Sequence, residues 1–142
     1  MQTPAYDESY FGSMIKKHRY LFKLIARNCQ DAFLMITRYM TGDYRRYMDM
    51  GNPLYLNKTP KQILGSLGVT IDPKAEISMA YEEFIMEWMA DIYTTMQWKY
   101  GISSEELVRK IKPEELYQKY YPLHEASLSN GMEKLLKIYQ IA

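Results

Sequence analysis

Apolar residues recur at steps of three and four through Ile77, Tyr81, Phe84, Ile85, Trp88, Ile92, Met96 and Tyr100, the period of a helix with one side turned inward. Met86, Met89 and Tyr93 widen that surface beyond a single stripe, so the pattern predicts a central helix over residues 77–100, touched from several sides. At 1.5 Å per residue it would run roughly 36 Å. Gly101, able to take the left-handed conformation, closes it. The polar remainder of this helix is acidic. Glu83, Glu87 and Asp91 stand four residues apart, with Glu82 beside them. Like charges at that spacing repel by a few tenths of a kcal/mol per pair. The stripe therefore faces solvent or a basic partner. No His joins it at the Glu-x-x-His spacing used by di-metal bundles, which argues against a metal site.

Ahead of the central helix, Asp7 or Ser9 can cap a helix through Lys16 to about Arg27, with Tyr10, Met14, Leu21 and Ile25 on its apolar side. Lys16, Lys17, Arg19, Lys23 and Arg27 make much of the rest basic. Such a helix serves as an ordinary surface helix, lies on anionic membranes, binds a calmodulin-type groove or touches phosphates. A further reading sets it against the acidic stripe, within one chain or across a dimer. Asn28 marks a bend, and the apolar pattern resumes at Ala32, Phe33, Met35, Ile36 and Tyr39. A short helix follows from Tyr44 to Met50, closed by Gly51. GNPLYLNKTP reads as a loop, because Asn52 and Thr59 each precede a proline. Thr59 with Pro60 opens another short helix through Leu67, stopped by Gly68. Residues 68–76, with their Asp72-Pro73 turn, form the expected seam between two halves. Beyond Gly101, Ser103 and Glu106 make a capping box for a helix to about Ile111. Pro113 starts a turn or two reaching Tyr120, and Pro122 either starts the last helix or sits in the loop before it. Leu128, Met132, Leu135, Leu136 and Tyr139 give the last helix its buried side, and Gly131 would cost about 1 kcal/mol against alanine if it falls inside that helix.

The resulting expectation is all-α: one compact domain, residues 1–142, of about six helices, some short. Only two valines and seven glycines occur in 142 residues, which argues against a sheet. Fourteen tyrosines and eleven methionines suit half-wet, adaptable surfaces, and equally a biased genome. The net charge of +1 conceals an asymmetry. Residues 1–71 carry ten Lys/Arg against five acids, +5, and residues 72–142 carry eight against twelve, −4. A dipolar chain of this kind packs half on half or pairs with a copy of itself, and lacks the strong positive charge of a dedicated nucleic-acid binder.

Candidate chemistry is sparse. Cys29 is the single cysteine and reads as a small buried hydrophobe. His18 and His124 with that cysteine are too few for an ordinary zinc site, and no P-loop, G-x-S-x-G or G-x-G-x-x-G occurs. The sequence implies no cofactor and gives no support to catalysis. Neither a signal-peptide pattern nor a run of transmembrane length is present, so the cytoplasm is the expected location. Tyr120-Tyr121-Pro122-Leu123-His124-Glu125 is the densest local oddity. His124 there either bonds a neighbouring backbone group or, with Tyr121, lines a partner groove.

The order Phe84-Ile85 then Tyr93, Gly101-Ile102-Ser103-x-x-Glu106, Tyr117-x-x-Tyr120 and Leu123-His124 resembles a family of small uncharacterised helical bacterial proteins. The resemblance covers about residues 79–140. Members of that family resemble operon partners of toxins, some beside ADP-ribosyltransferase-like genes. It implies a neutralising or adaptor protein that works by binding. The expected function is thus a protein-binding module, antitoxin-like and homodimeric, with Glu83, Glu87, Asp91, Tyr121 and His124 as contact candidates. The alternative is binding of nucleic acid or an anionic membrane surface through residues 16–27.

Overall fold

A computed structural model describes residues 6–75 and 80–141. Among these residues there are ten helices and no strand. Asp7 accepts from the Ser9 N–H at 2.9 Å and opens a 3-10 turn, Glu8–Tyr10, that runs straight into α1, Phe11–Asn28. The chain continues through α2 (Ala32–Met40), α3 (Asp43–Asp49), α4 (Pro53–Leu56) and α5 (Pro60–Ser66). The central α6 (Glu83–Tyr100) follows, then α7 (Ser104–Lys110), α8 (Pro113–Gln118), α9 (Tyr120–Leu123) and α10 (Leu128–Ile138).

Local chemistry sets most of these ends. Asp31, Thr59, Ser103 and Ser127 each accept the N–H of the third residue of the helix they precede, satisfying a donor the helix leaves open. Thr59 and Gln62 complete a reciprocal box, with Pro60 in the first turn. Gly51, Gly68 and Gly101 lie at φ +79°, +76° and +63°, where a Cβ would strain the backbone, and end α3, α5 and α6 as their positions predict.

α1 and α6, eighteen residues each, form the axis of the fold, and α6 also touches α7, α8 and α10. From Met89 to Gln97 every α6 residue but Asp91 is buried, the environment expected of a helix apolar over most of its circumference. α2 bridges α1, α3, α7 and α8. The hydrophobic core draws on both halves of the chain, from Met14, Leu21 and Ile36 to Ile92, Leu107 and Leu135.

The structure corrects three expectations. The central helix starts at Glu83, not residue 77: Ala80–Glu82 is not helical, and Ile77 lies outside the described residues. Tertiary bonds hold this segment off the helix. The Tyr117 hydroxyl takes the Glu82 N–H at 2.9 Å, and the Tyr81 hydroxyl sits between the Ala32 N–H and the Gln30 carbonyl. Phe33, Tyr81 and Tyr117 pack edge to face around it. Second, Phe84, counted on the apolar side, is 48% exposed. Third, the supposed loop at 51–60 contains α4. Asn52 accepts from the Leu54 N–H at 3.0 Å with Pro53 in the first turn, the same Asx/Thr-Pro device that opens α5. Pro122 falls within α9, and the helix count rises above six through such short segments.

Candidate functional site

Arg19, Lys23 and Arg27 line one side of α1 at four-residue spacing, and Asp91, Glu87 and Glu83 line α6 in the opposite order. Antiparallel packing brings the two rows together. Arg19 grips Asp91 at 2.6 and 2.9 Å, Arg27 grips Glu83 at 2.7 and 2.8 Å, and Lys23 lies 3.4 Å from Glu87. The outer pairs are two-pronged, the geometry in which guanidinium and carboxylate match best. Partial solvent exposure holds each pair to about 0.2–1 kcal/mol. The ladder selects which side of α1 meets which side of α6, since a slip of one helical turn would still set base against acid and lose only one pair. The acidic contact candidates and three of the five basic ones thus neutralise each other inside the chain. Lys17 is half-buried and bonds the Leu56 carbonyl, and burial pulls its ammonium below the usual lysine range. Lys16 is exposed.

Behind this ladder lies a cluster that the charge pattern does not announce. His18 occupies the buried face of α1 between Met14 and Leu21. Around it converge Tyr39 of α2, Arg45 and Asp49 of α3, Thr94 of α6 and Ser104 of α7, every one at most 2% exposed. Arg45 donates to His18 Nε2 at 2.9 Å and to Ser104 Oγ at 2.6 Å, and stands 3.3 Å from Asp49. Asp49 accepts the Ser104 hydroxyl at 2.8 Å and the Ser104 backbone N–H at 2.7 Å. The Tyr39 hydroxyl lies 2.7 Å from His18 Nε2 and 3.2 Å from the Met48 sulfur, and Thr94 Oγ1 lies 3.1 Å from His18 Nδ1.

A guanidinium only donates, so the nitrogen it addresses must accept. His18 is therefore the neutral tautomer with its proton on Nδ1 and its lone pair on Nε2. Burial, then the charges of Arg45 and Lys17, hold its pKa well below the usual histidine range, against a smaller opposing effect of the Met14 backbone. Burial raises the Asp49 carboxyl, while Arg45 and the two Ser104 donors pull it back. Burial pushes the Tyr39 and Tyr6 phenols to about 12. Ser104 resembles an activated hydroxyl only superficially. It is fully buried, its oxygen accepts the Arg45 Nε–H, and it meets no imidazole. The arrangement works as a cross-brace between α1, α2, α3, α6 and α7. Tyr6, Thr95 and Gln97 add buried polar atoms with no protein partner.

Sequence reading places His18 only among too few zinc ligands and Arg45 only in a charge total. A signal was available: Met14, His18, Leu21 and Ile25 share one period, which turns His18 inward, and Arg45 sits one turn before the carboxylate of Asp49.

A third feature is on the surface. Tyr120 of α9 is surrounded by Phe84 at 5.4 Å, Trp88 at 5.5 Å and Tyr121 at 5.3 Å, and stacks on His124 at 4.4 Å. Tyr121 is 65% exposed and His124 is exposed as well. His124 Nδ1 is within 3.0 and 3.1 Å of the Tyr120 and Tyr121 carbonyls, so it carries a proton and fixes the ring. Both α9 candidates thus join one aromatic face with α6. Cys29 is half-buried, its thiol raised by burial. A cleft of about 650 Å³ between α2 and the α7–α8 corner, lined by Phe33, Leu34, Val108 and Pro113, reaches neither His124 nor Cys29. Among the described residues no three His, Cys, Asp or Glu side chains gather as metal ligands, and no helix is long and apolar enough to cross a membrane.

These features define an all-α protein with a sealed polar interior and an aromatic outer face. Comparison with known proteins brings no match to any family model, curated protein or solved structure.

Proposed function

We propose that this protein is a cytoplasmic binding module that docks a partner protein through the face formed by Phe84, Trp88, Tyr120, Tyr121 and His124. One observation carries the reading: large aromatic side chains stand exposed on an ordered cluster, with Tyr121 65% and Phe84 48% accessible. Aromatic groups held in place by their neighbours lose little conformational freedom on binding, and tyrosine and tryptophan dominate the energetics of protein interfaces. The internal ladder supports the same reading, because it takes the stripes Glu83–Glu87–Asp91 and Arg19–Lys23–Arg27 out of competition for partners. The partner class is a toxin-like protein encoded beside it, as the resemblance of residues 79–140 implies, and the module would act as its adaptor or antitoxin.

The test is calorimetric titration of the neighbouring gene's product into the wild type and into Phe84→Ala/Tyr121→Ala. Binding that weakens at least tenfold in the variant, about 1.4 kcal/mol or more, is the expected result. Absence of binding by the wild type, or equal affinity in the variant, overturns the proposal. Light scattering of the same samples tests the expected homodimer. A dimer lost in the variant would make the occupant of this face a second copy and not a toxin-like protein.

A further inference from the structure

We propose that His18 is a proton-operated latch: one proton taken up at Nε2 undoes the brace that fastens α3 and α7 to the α1–α6 pair. The argument is geometric. Nε2 is the acceptor for Arg45 at 2.9 Å and contacts Tyr39 at 2.7 Å, so a proton there removes the lone pair and points an N–H at a guanidinium. None of the charged and titratable groups around the ring neutralises the added charge, although the Tyr39 oxygen can accept a hydrogen bond. Lys17 on its own helix is a cation, α2 presents the Tyr39 phenol, and α3 presents Arg45. α6 contributes the neutral Thr94. The one carboxylate of the cluster, Asp49, is held by both donors of Ser104 on α7 and makes no bond to His18. Nor can Arg45 give up its proton, since a guanidinium stays charged at any pH the fold survives. An imidazolium would therefore share a buried site with a second cation, and the arrangement yields by moving Arg45 away. Arg45 is the tie from α3 to α1 in this cluster, and with it gone the two Asp49–Ser104 bonds still hold α3 to α7, so those two helices part together from the α1–α6 pair.

The latch is separate from the aromatic face, so it stands or falls independently of the proposed partner. Its test follows three readouts from pH 7.5 to 5.0 on the full chain. Ring ¹⁵N shifts should show His18 as the Nδ1–H tautomer throughout the fully folded population. Hydrogen exchange of α3 and α7 amides should accelerate on acidification more than that of the α1–α6 core. In urea unfolding, the acid-induced fall of the folding constant should approach one extra tenfold per pH unit in the wild type and in His124→Gln, and flatten by up to that amount in His18→Gln. Titration of His18 in the folded state without loss of the Arg45 contact overturns the proposal. So does unfolding of α1, α3, α6 and α7 as one unit, or an unchanged slope in His18→Gln. Should that variant fail to fold, the tautomer and exchange measurements on the wild type decide alone.

Discussion

Arg45 shows how much one buried side chain can hold. It is 1% exposed, and its charge is balanced by Asp49, itself 2% exposed. Desolvating such a pair offsets much of its attraction, but removing one member strands the other, at a cost of about 3–5 kcal/mol. Arg45→Met is expected to lose stability on that scale in urea denaturation. Arg45→Met/Asp49→Asn should recover part of the loss, because the stranded charge is gone while the amide oxygen still accepts from Ser104. A double-mutant cycle measures that coupling. A carboxylate within one turn does not by itself single out Arg45, since the neighbouring Arg46 has one as well and pairs with Asp43 while exposed. Position on the helix separates them: Arg45 shares a face with Met48 and Asp49, both buried.

At the scale of elements, the ladder ties two helices whose ends are already suited to it. Glu83 sits in the first turn of α6 and Arg27 in the last turn of α1, each matched to the helix dipole there. Arg27→Glu and Glu83→Arg are each expected to lower stability by about 1 kcal/mol, less at high salt. The exchange of both charges should restore the pair yet fall short of wild type, because each charge then opposes its own helix end. Thermal or urea midpoints at low and high salt check all three. The four-residue spacing of both rows is visible in the sequence, and so is their opposite sign. Their meeting is not, since an acidic stripe satisfied by solvent or by another molecule has the same spacing. The N-terminus of α6 shows the converse: periodicity runs on through Tyr81, but the Tyr117 hydroxyl captures the Glu82 N–H from 35 residues away.

For the molecule as a whole, the buried histidine makes stability depend on pH with a definite sign. The folded pKa of His18 lies well below the unfolded value of about 6.5. Its contribution is fully present above the unfolded pKa and is lost as pH falls from there toward the folded pKa, where the unfolded chain binds the proton first. Each proton so linked changes stability by about 1.4 kcal/mol per pH unit. Asp49 works in the other direction, because its folded carboxyl is raised by burial and takes a proton before the unfolded one does. The expected profile of urea midpoints falls as pH drops below about 6.5, with the Asp49 contribution opposing that fall.

The sequence by itself determined the helical class, the inward-facing central helix and most helix ends. Those features rest on interactions between residues one to four positions apart: the period of apolar side chains, Thr59 and Ser103 as caps, Gly51, Gly68 and Gly101 as terminators. Only the tertiary structure decided that the charged stripes of α1 and α6 face each other. It also decided that Phe84 turns outward to join Tyr120 and Tyr121, and that His18, Arg45, Asp49 and Ser104 form one cluster. Each of these depends on which helix packs against which face. That choice is made by burial summed over the whole core, and a local pattern constrains it only through the shape of the faces it offers.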